Sequence, residues 1–152
     1  MTGVQTCALP ISIPVYGDGK NIRDWLFVED HCEALDCVFH EGDPGEVFNI
    51  GGENEWENID IIRFVCRKLD KELGKSGNES CENLITFVKD RPGHDRRYAI
   101  DATKIKTALN WTPRHSFEEG LTKTIRWYLD HQEWVSNITS GTYQDYYVRQ
   151  YG

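Results

Sequence analysis

From Ile13 onward the apolar and polar positions fall into short periodic blocks separated by glycine-rich breaks. "IPVYGDGKNIRDWLFV" alternates on either side of a Gly-Asp-Gly turn, which predicts two strands joined as a hairpin. "EDHCEALDCVF" comes next, with Val28, Cys32, Leu35 and Phe39 at helical spacing, so a helix that buries this stripe is expected. "GDPGE" breaks it, and "VFNIGG" reads as a short apolar strand closed by a glycine pair. "NIDIIRFVCRKLDKEL" places Ile59, Ile62, Cys66, Leu69 and Leu73 on one helix face, with Asn58 at the N-cap. "GKSGNES" reads as a mobile connection to the strand "LITFVKD". "DATKIKTAL" is a short helix capped by Asp101. In "SFEEGLTKTIRWYLDHQEW", Ser116 and Glu119 form a capping-box pattern. Phe117, Leu121, Ile125 and either Tyr128 or Leu129 make its buried stripe.

Strands alternate with helices, so the class is α/β, with a small mixed sheet of about four strands. No internal repeat is present. Residues 1–12, "MTGVQTCALPIS", carry no period and resemble a translated sequencing adapter; they are expected to be a non-native or disordered leader. Residues 13–152 then form the folded region.

Composition narrows the function classes. The 152 residues are 39% hydrophobic and 12% aromatic, as in globular proteins. A net charge of −8 argues against nucleic acid read through a broad basic face, though not against one small anion in a local basic pocket. The five cysteines, at 7, 32, 37, 66 and 81, have no zinc spacing and suggest reduced thiols in a cytoplasmic protein. Cys32 and Cys66 are expected to pack on apolar helix faces. No apolar run reaches the length of a membrane span. The Asn-x-Ser/Thr triplets at Asn78 and Asn137 read as chance matches.

Chemistry-bearing motifs are sparse. No glycine cluster has the spacing and context of a dinucleotide turn. Tyr16 and Lys20 stand four apart, but Gly17, Asp18 and Gly19 between them favour a turn over the helix on which a Tyr-x-x-x-Lys pair works. The five histidines include no pair at metal spacing with carboxylates. What stands out is "DRPGHDRRY", residues 90–98. Arg91, Arg96 and Arg97 have forks that suit a phosphate or carboxylate, with Asp90 and Asp95 to hold them. On its residues alone the stretch is either such a grip or a solvated loop.

"PVYGDGKNIRDWLFVEDH", "FNIGG", "NID", "DRPGHDRRYAIDATKI", "LNWTP" and "SFEEGLTKTIRWYL" together resemble the carboxy-terminal part of the dTDP-glucose 4,6-dehydratase family. That family lies within the extended short-chain dehydrogenase/reductase superfamily. The likeness runs from about Ile13 to Gly152. It implies a Rossmann enzyme whose main NAD-binding sheet is missing here. It also implies the NAD-dependent conversion of dTDP-glucose to dTDP-4-keto-6-deoxyglucose and water, in a full-length homodimer. NAD and the catalytic residues would belong to an absent amino-terminal half, leaving this chain a substrate-binding region with no catalytic residue of its own. Carried over residue by residue, Arg91 and then Arg23 are the candidate diphosphate ligands. Pro92 and Gly93 shape the turn, His94 donates to phosphate or ribose, and Asp90 orients Arg91. Pro14, Val15 and Tyr16 lie along the nucleotide. Asn58 contacts substrate or caps its helix, and Tyr151 sits near the nucleotide. Arg96 and Arg97 are instead candidates for structural pairing with Asp95 or Asp101. Asn49 and the Gly51–Gly52 pair are assigned to a tight turn. Other nucleotide-sugar enzymes of the superfamily (UDP-sugar epimerases and decarboxylases) share "IRDW" and "NIGG", and a stand-alone binding domain is a further alternative. Without its main sheet the chain is expected to expose apolar surface on "WLFV" and "VFNIGG".

Overall fold

A computed structural model describes residues 12–139. The elements are β1 (Ile13–Tyr16), β2 (Ile22–Asp24), α1 (Val28–Glu41), β3 (Glu55–Glu57), α2 (Asn58–Leu73), β4 (Ile85–Val88), α3 (Thr103–Leu109), α4 (Phe117–Asp130) and α5 (Gln132–Thr139). Two short 3-10 turns, Gly77–Glu79 and Cys81–Leu84, precede β4. The leader expected at 1–12 lies, except for Ser12, outside the described residues, as does Tyr151.

The expected hairpin does not form. β1 pairs in parallel with β4, with Val15 opposite Phe87, while β2 pairs antiparallel with β3, with Arg23 opposite Trp56. The turn between β1 and β2 has another task. Its carbonyls meet the start of α2: Ile59 N–H donates to Gly19 O at 2.9 Å and Asn58 N–H to Asn21 O at 3.0 Å. These bonds satisfy amides that a helix N-terminus otherwise leaves open. Asn58 is therefore the first helical residue rather than the N-cap; Glu57 holds that place and makes no side-chain cap bond. The strand expected at "VFNIGG" is also absent, because extended backbone is a strand only with a neighbour to pair, and residues 46–50 find none among the described residues. The polar "EWE" of β3 takes the place beside β2 instead.

The core lies between α1 and α3, where Ala34, Ala102, Ile105 and Trp111 are buried and Leu26, Cys37, Val38, Phe48 and Ile50 pack against them. This reverses the expectation for α1. Val28, Leu35 and Phe39 are 63%, 51% and 83% exposed, and Cys32 is exposed too. The helix is apolar on two sides, and the Asp30–Ala34 side is the one covered here. In α2 the buried residues are Ile59, Ile61, Phe64 and Cys66; Ile62 and Leu69 are half-buried and Leu73 is exposed. Burial pushes the Cys66 thiol up to about 11, as suits a packing residue.

The segment expected to be mobile is tied down. Asp70 accepts from Ser80 Oγ at 2.7 Å and Cys81 N–H at 2.8 Å. Asp101 accepts from Thr103 N–H at 2.9 Å, but Ala102 rather than Asp101 holds the N-cap of α3. The Ser116–Glu119 capping box opens α4 as expected. Leu129 rather than Tyr128 turns inward on α4. That helix stops at Asp130, where His131 Nδ1 and Gln132 Nε2 meet the carbonyls of Trp127 and Tyr128. The one long helix expected over this stretch is thus two.

Candidate anion-binding site

β4 delivers the chain into residues 90–98, and β2 anchors the far end of that loop. Ile22 N–H donates to Arg96 O at 2.8 Å, and Tyr98 N–H donates to Ile22 O at 3.0 Å. Asn21 is 2% exposed, and its side-chain amide donates to Asp95 O at 3.1 Å. Two arginines complete the anchoring. Arg96 pairs with Asp18 at 2.9 Å, and Arg97 forks onto Glu55 with 2.5 and 2.6 Å bonds. Both are structural, but neither uses Asp95 or Asp101. Hydrogen bonding lowers both carboxyls: chiefly Lys20 N–H and then Arg96 at Asp18, and Arg97 at Glu55.

The tip of the loop is organised around Asp90. Its Oδ1 accepts from Arg91 N–H at 2.8 Å and meets His94 Nδ1 at 2.6 Å. The histidine contact is the first cause holding the Asp90 carboxyl below its ordinary value. Asp90 therefore orients the His94 ring and only the backbone of Arg91, a correction to its expected role. The His94 side chain is 6% exposed and meets the edge of Tyr16, ring centroids 6.4 Å apart. Gly93 turns the tip with φ +68°, a left-handed conformation that glycine adopts without steric cost, and Pro92 is exposed beside it.

Within the site, Arg91 and Arg23 have no carboxylate partner among the described residues. Arg91 lies over the Tyr16 ring at 5.6 Å and its guanidinium makes no hydrogen bond. Arg23, on β2, donates to Ile22 O at 2.6 Å and Asp95 O at 3.1 Å, and lies over the Tyr98 ring at 4.5 Å. The Asp95 carboxylate accepts from the Tyr98 hydroxyl and raises the phenol pKa, while the charges of Arg23 and Arg91 both pull it down. Tyr98 thus stands within reach of both arginines.

The structure therefore brings together Tyr16, Asp90, Arg91, Pro92, Gly93 and His94, with Arg23 on the adjoining strand. Pro14 is exposed on β1. Val15 is 3% exposed, so its side chain belongs to the core and only its backbone is left to meet a ligand. Asn58 is half-buried where α2 meets the β1–β2 turn. Asn49 is exposed in the extended segment, and the Gly51–Gly52 pair, expected in a tight turn, is buried instead. A Cβ on Gly52 would lie 2.0 Å from Trp25 O, Asp24 accepts from Gly52 N–H at 2.9 Å, and close backbone packing is what calls for glycine. Sequence reasoning misses Tyr98 and Asn21; an Arg-Arg-Tyr run hints at the first, but nothing local marks the second.

A cavity of about 690 Å³ lies elsewhere. Trp25, Phe27, Phe117, Trp127 and Tyr128 wall it, and its Lys123 is already engaged with His115 Nε2 at 2.8 Å. It is an apolar recess whose lining holds no arginine.

The family model described as GDP-mannose 4,6 dehydratase matches residues 2–124. The chain belongs to this dehydratase family. It is 54% identical over 133 residues to a dTDP-glucose 4,6-dehydratase of Escherichia coli, covering 86% of this chain but 37% of that one. Among solved structures, the dTDP-glucose 4,6-dehydratase of Bacillus anthracis in complex with NAD superposes with a TM-score of 0.66 at 47% identity, covering 81% of this chain and 36% of the other. The Streptomyces venezuelae dTDP-glucose 4,6-dehydratase with NAD and TYD bound gives 0.69 at 36% identity, covering 81% and 35%. The dehydratase-family chain thus spans little more than a third of the relatives it matches, and corresponds to their carboxy-terminal part. No helix among its described residues is long and apolar enough to cross a membrane.

Proposed function

We propose that this chain supplies the diphosphate grip for a dTDP-sugar in a dTDP-glucose 4,6-dehydratase. The observation that carries the reading is the division of labour among four arginines. Arg96 and Arg97 are engaged with Asp18 and Glu55, and they hold the loop against the β1–β2 turn and β3. Arg91 and Arg23 keep free donors, and a bidentate fork suits two charged phosphate oxygens. His94, set by Asp90 and met by the edge of Tyr16, adds a ring nitrogen on the same loop, with Pro14 along the nucleotide and Asn58 as a further substrate contact. Tyr151, which lies outside the described residues, is the remaining candidate for a nucleotide contact. The intact enzyme, a homodimer, converts dTDP-glucose to dTDP-4-keto-6-deoxyglucose and water.

NAD does not fit the described residues. A dinucleotide site sets the pyrophosphate on a helix N-terminus that succeeds a strand and a glycine-rich turn. Here β1 enters Gly17-Asp18-Gly19 and emerges into β2, while α1 and α2 are entered from Phe27 and Glu57. The role of this chain's residues is to bind and orient the substrate's diphosphate, with the redox chemistry housed elsewhere in the enzyme. Titration calorimetry of the chain with dTDP and with thymidine tests the reading. A clear preference for dTDP is expected; equal binding, or none of either, would overturn it.

A further inference from the structure

Arg23 and Arg91 share a feature that no charge pairing requires: each lies over a tyrosine ring. The closer stack is Arg23 on Tyr98, at 4.5 Å. Tyr98 is 54% exposed, so its ring contributes little to the core. Three contacts nevertheless fix it: its N–H on Ile22 O, its hydroxyl on the Asp95 carboxylate, and its ring beneath Arg23. The Asp95 carbonyl takes a donor from Arg23 and another from the buried Asn21. One face of the Arg23 guanidinium is thereby occupied by the ring and part of its edge by carbonyls, and the remaining donors meet no acceptor among the described residues.

We propose that Tyr98 is a positioning residue that sets the Arg23 fork for the substrate's diphosphate. The inference rests on the reading of Arg23 as a diphosphate ligand. An arginine held on one face by an aromatic ring has fewer rotamers to lose when the anion arrives, so more of its charge-assisted bonding appears as affinity. The tyrosine itself need not touch the ligand. The ring face rather than the hydroxyl meets the guanidinium, so phenylalanine should preserve most of the effect and leucine should not.

The test is a double-mutant cycle on the whole chain, read by calorimetric titration with dTDP and thymidine. Tyr98→Leu should weaken dTDP about two- to fivefold, the range for an exposed cation–aromatic contact. Tyr98→Phe should stay within about twofold of the wild type. Thymidine binding should be unchanged in both. In an Arg23→Ala background, Tyr98→Leu should have no further effect on dTDP. Proton NMR of the unliganded chain gives a second readout. The Arg23 side-chain protons should be shifted upfield by the ring in the wild type and in Tyr98→Phe, and should return to ordinary positions in Tyr98→Leu. The inference is overturned if Arg23→Ala weakens dTDP while Tyr98→Leu does not. It is also overturned if Tyr98→Leu acts equally with Arg23 present or absent, or if the upfield shifts are missing. A different result, Arg23→Ala leaving dTDP affinity intact, would refute the underlying role of Arg23 instead.

Discussion

Replacing Asp30 by asparagine should reveal how strongly one buried carboxylate ties the two halves of this fold. Asp30 is 1% exposed in the first turn of α1. It accepts from His115 N–H at 3.1 Å and meets His115 Nδ1 at 2.8 Å, just before α4. On the far side of that ring, Lys123 meets Nε2 at 2.8 Å. Lysine only donates, so Nε2 accepts and the ring proton lies on Nδ1, pointing at Asp30. Burial alone would raise the Asp30 carboxyl, but its bonds to His115 and to the Arg114 backbone outweigh this and hold it below the ordinary value. An amide is isosteric, yet it must set an N–H against a donor or give up a bond. The loss is one charge-assisted bond, about 1.5–3 kcal/mol. At about 3–4 °C per kcal/mol for a domain of this size, the melting temperature should fall by about 5–12 °C. The carboxylate is favoured in the folded state, so its contribution is complete above the ordinary value of 3.8 and is lost as pH falls through the lower folded value. Urea unfolding of wild type and Asp30→Asn across a pH series should show a constant gap above about pH 4 that closes below it. A gap under about 0.5 kcal/mol at neutral pH, or one that widens on acidification, would refute this account of Asp30.

Two further outcomes are expected. The uncovered face of Phe39 and Val47, 83% and 77% exposed, should make the chain self-associate, and Phe39→Asp with Val47→Lys should reduce this in light scattering with little change in melting temperature; equal association of both proteins would contradict it. The chain alone, given dTDP-glucose and NAD, should form none of the alkali-absorbing 4-keto product, because Tyr16 and Lys20 sit on a strand and a turn rather than one helix face; turnover above a buffer blank would sink that expectation.

The helices were legible because their periods and caps are local. The capping box of α4 and the Asp101–Thr103 bond at the start of α3 arise from residues within three positions of one another. Which face of α1 is buried was not legible: both sides are apolar, and the choice depends on α3 and Trp111, far along the chain. The strand pairs failed for a related reason. Val15 pairs with Phe87, and no pattern within the Gly-Asp-Gly turn discloses that the partner lies beyond two helices. The polar "EWE" of β3 carries no strand period at all. At the site, the loop itself was visible as a knot of charge, but its internal division was not. Asp18 and Glu55 are 78 and 42 residues from the arginines they engage, so only the fold shows which arginines are committed.

The central claim is that Arg91 grips a diphosphate. Calorimetric titration of dTDP and thymidine against wild type, Arg91→Ala and Arg91→Lys tests it most directly. Loss of a charge-assisted contact worth about 1.5–3 kcal/mol should weaken dTDP roughly ten- to hundredfold in Arg91→Ala. Lysine, a point charge without the fork, should recover only part of this. Thymidine, which has no phosphate, should bind all three proteins alike. If Arg91→Ala weakens dTDP and thymidine equally, the 90–98 loop is scaffolding and the claim is wrong.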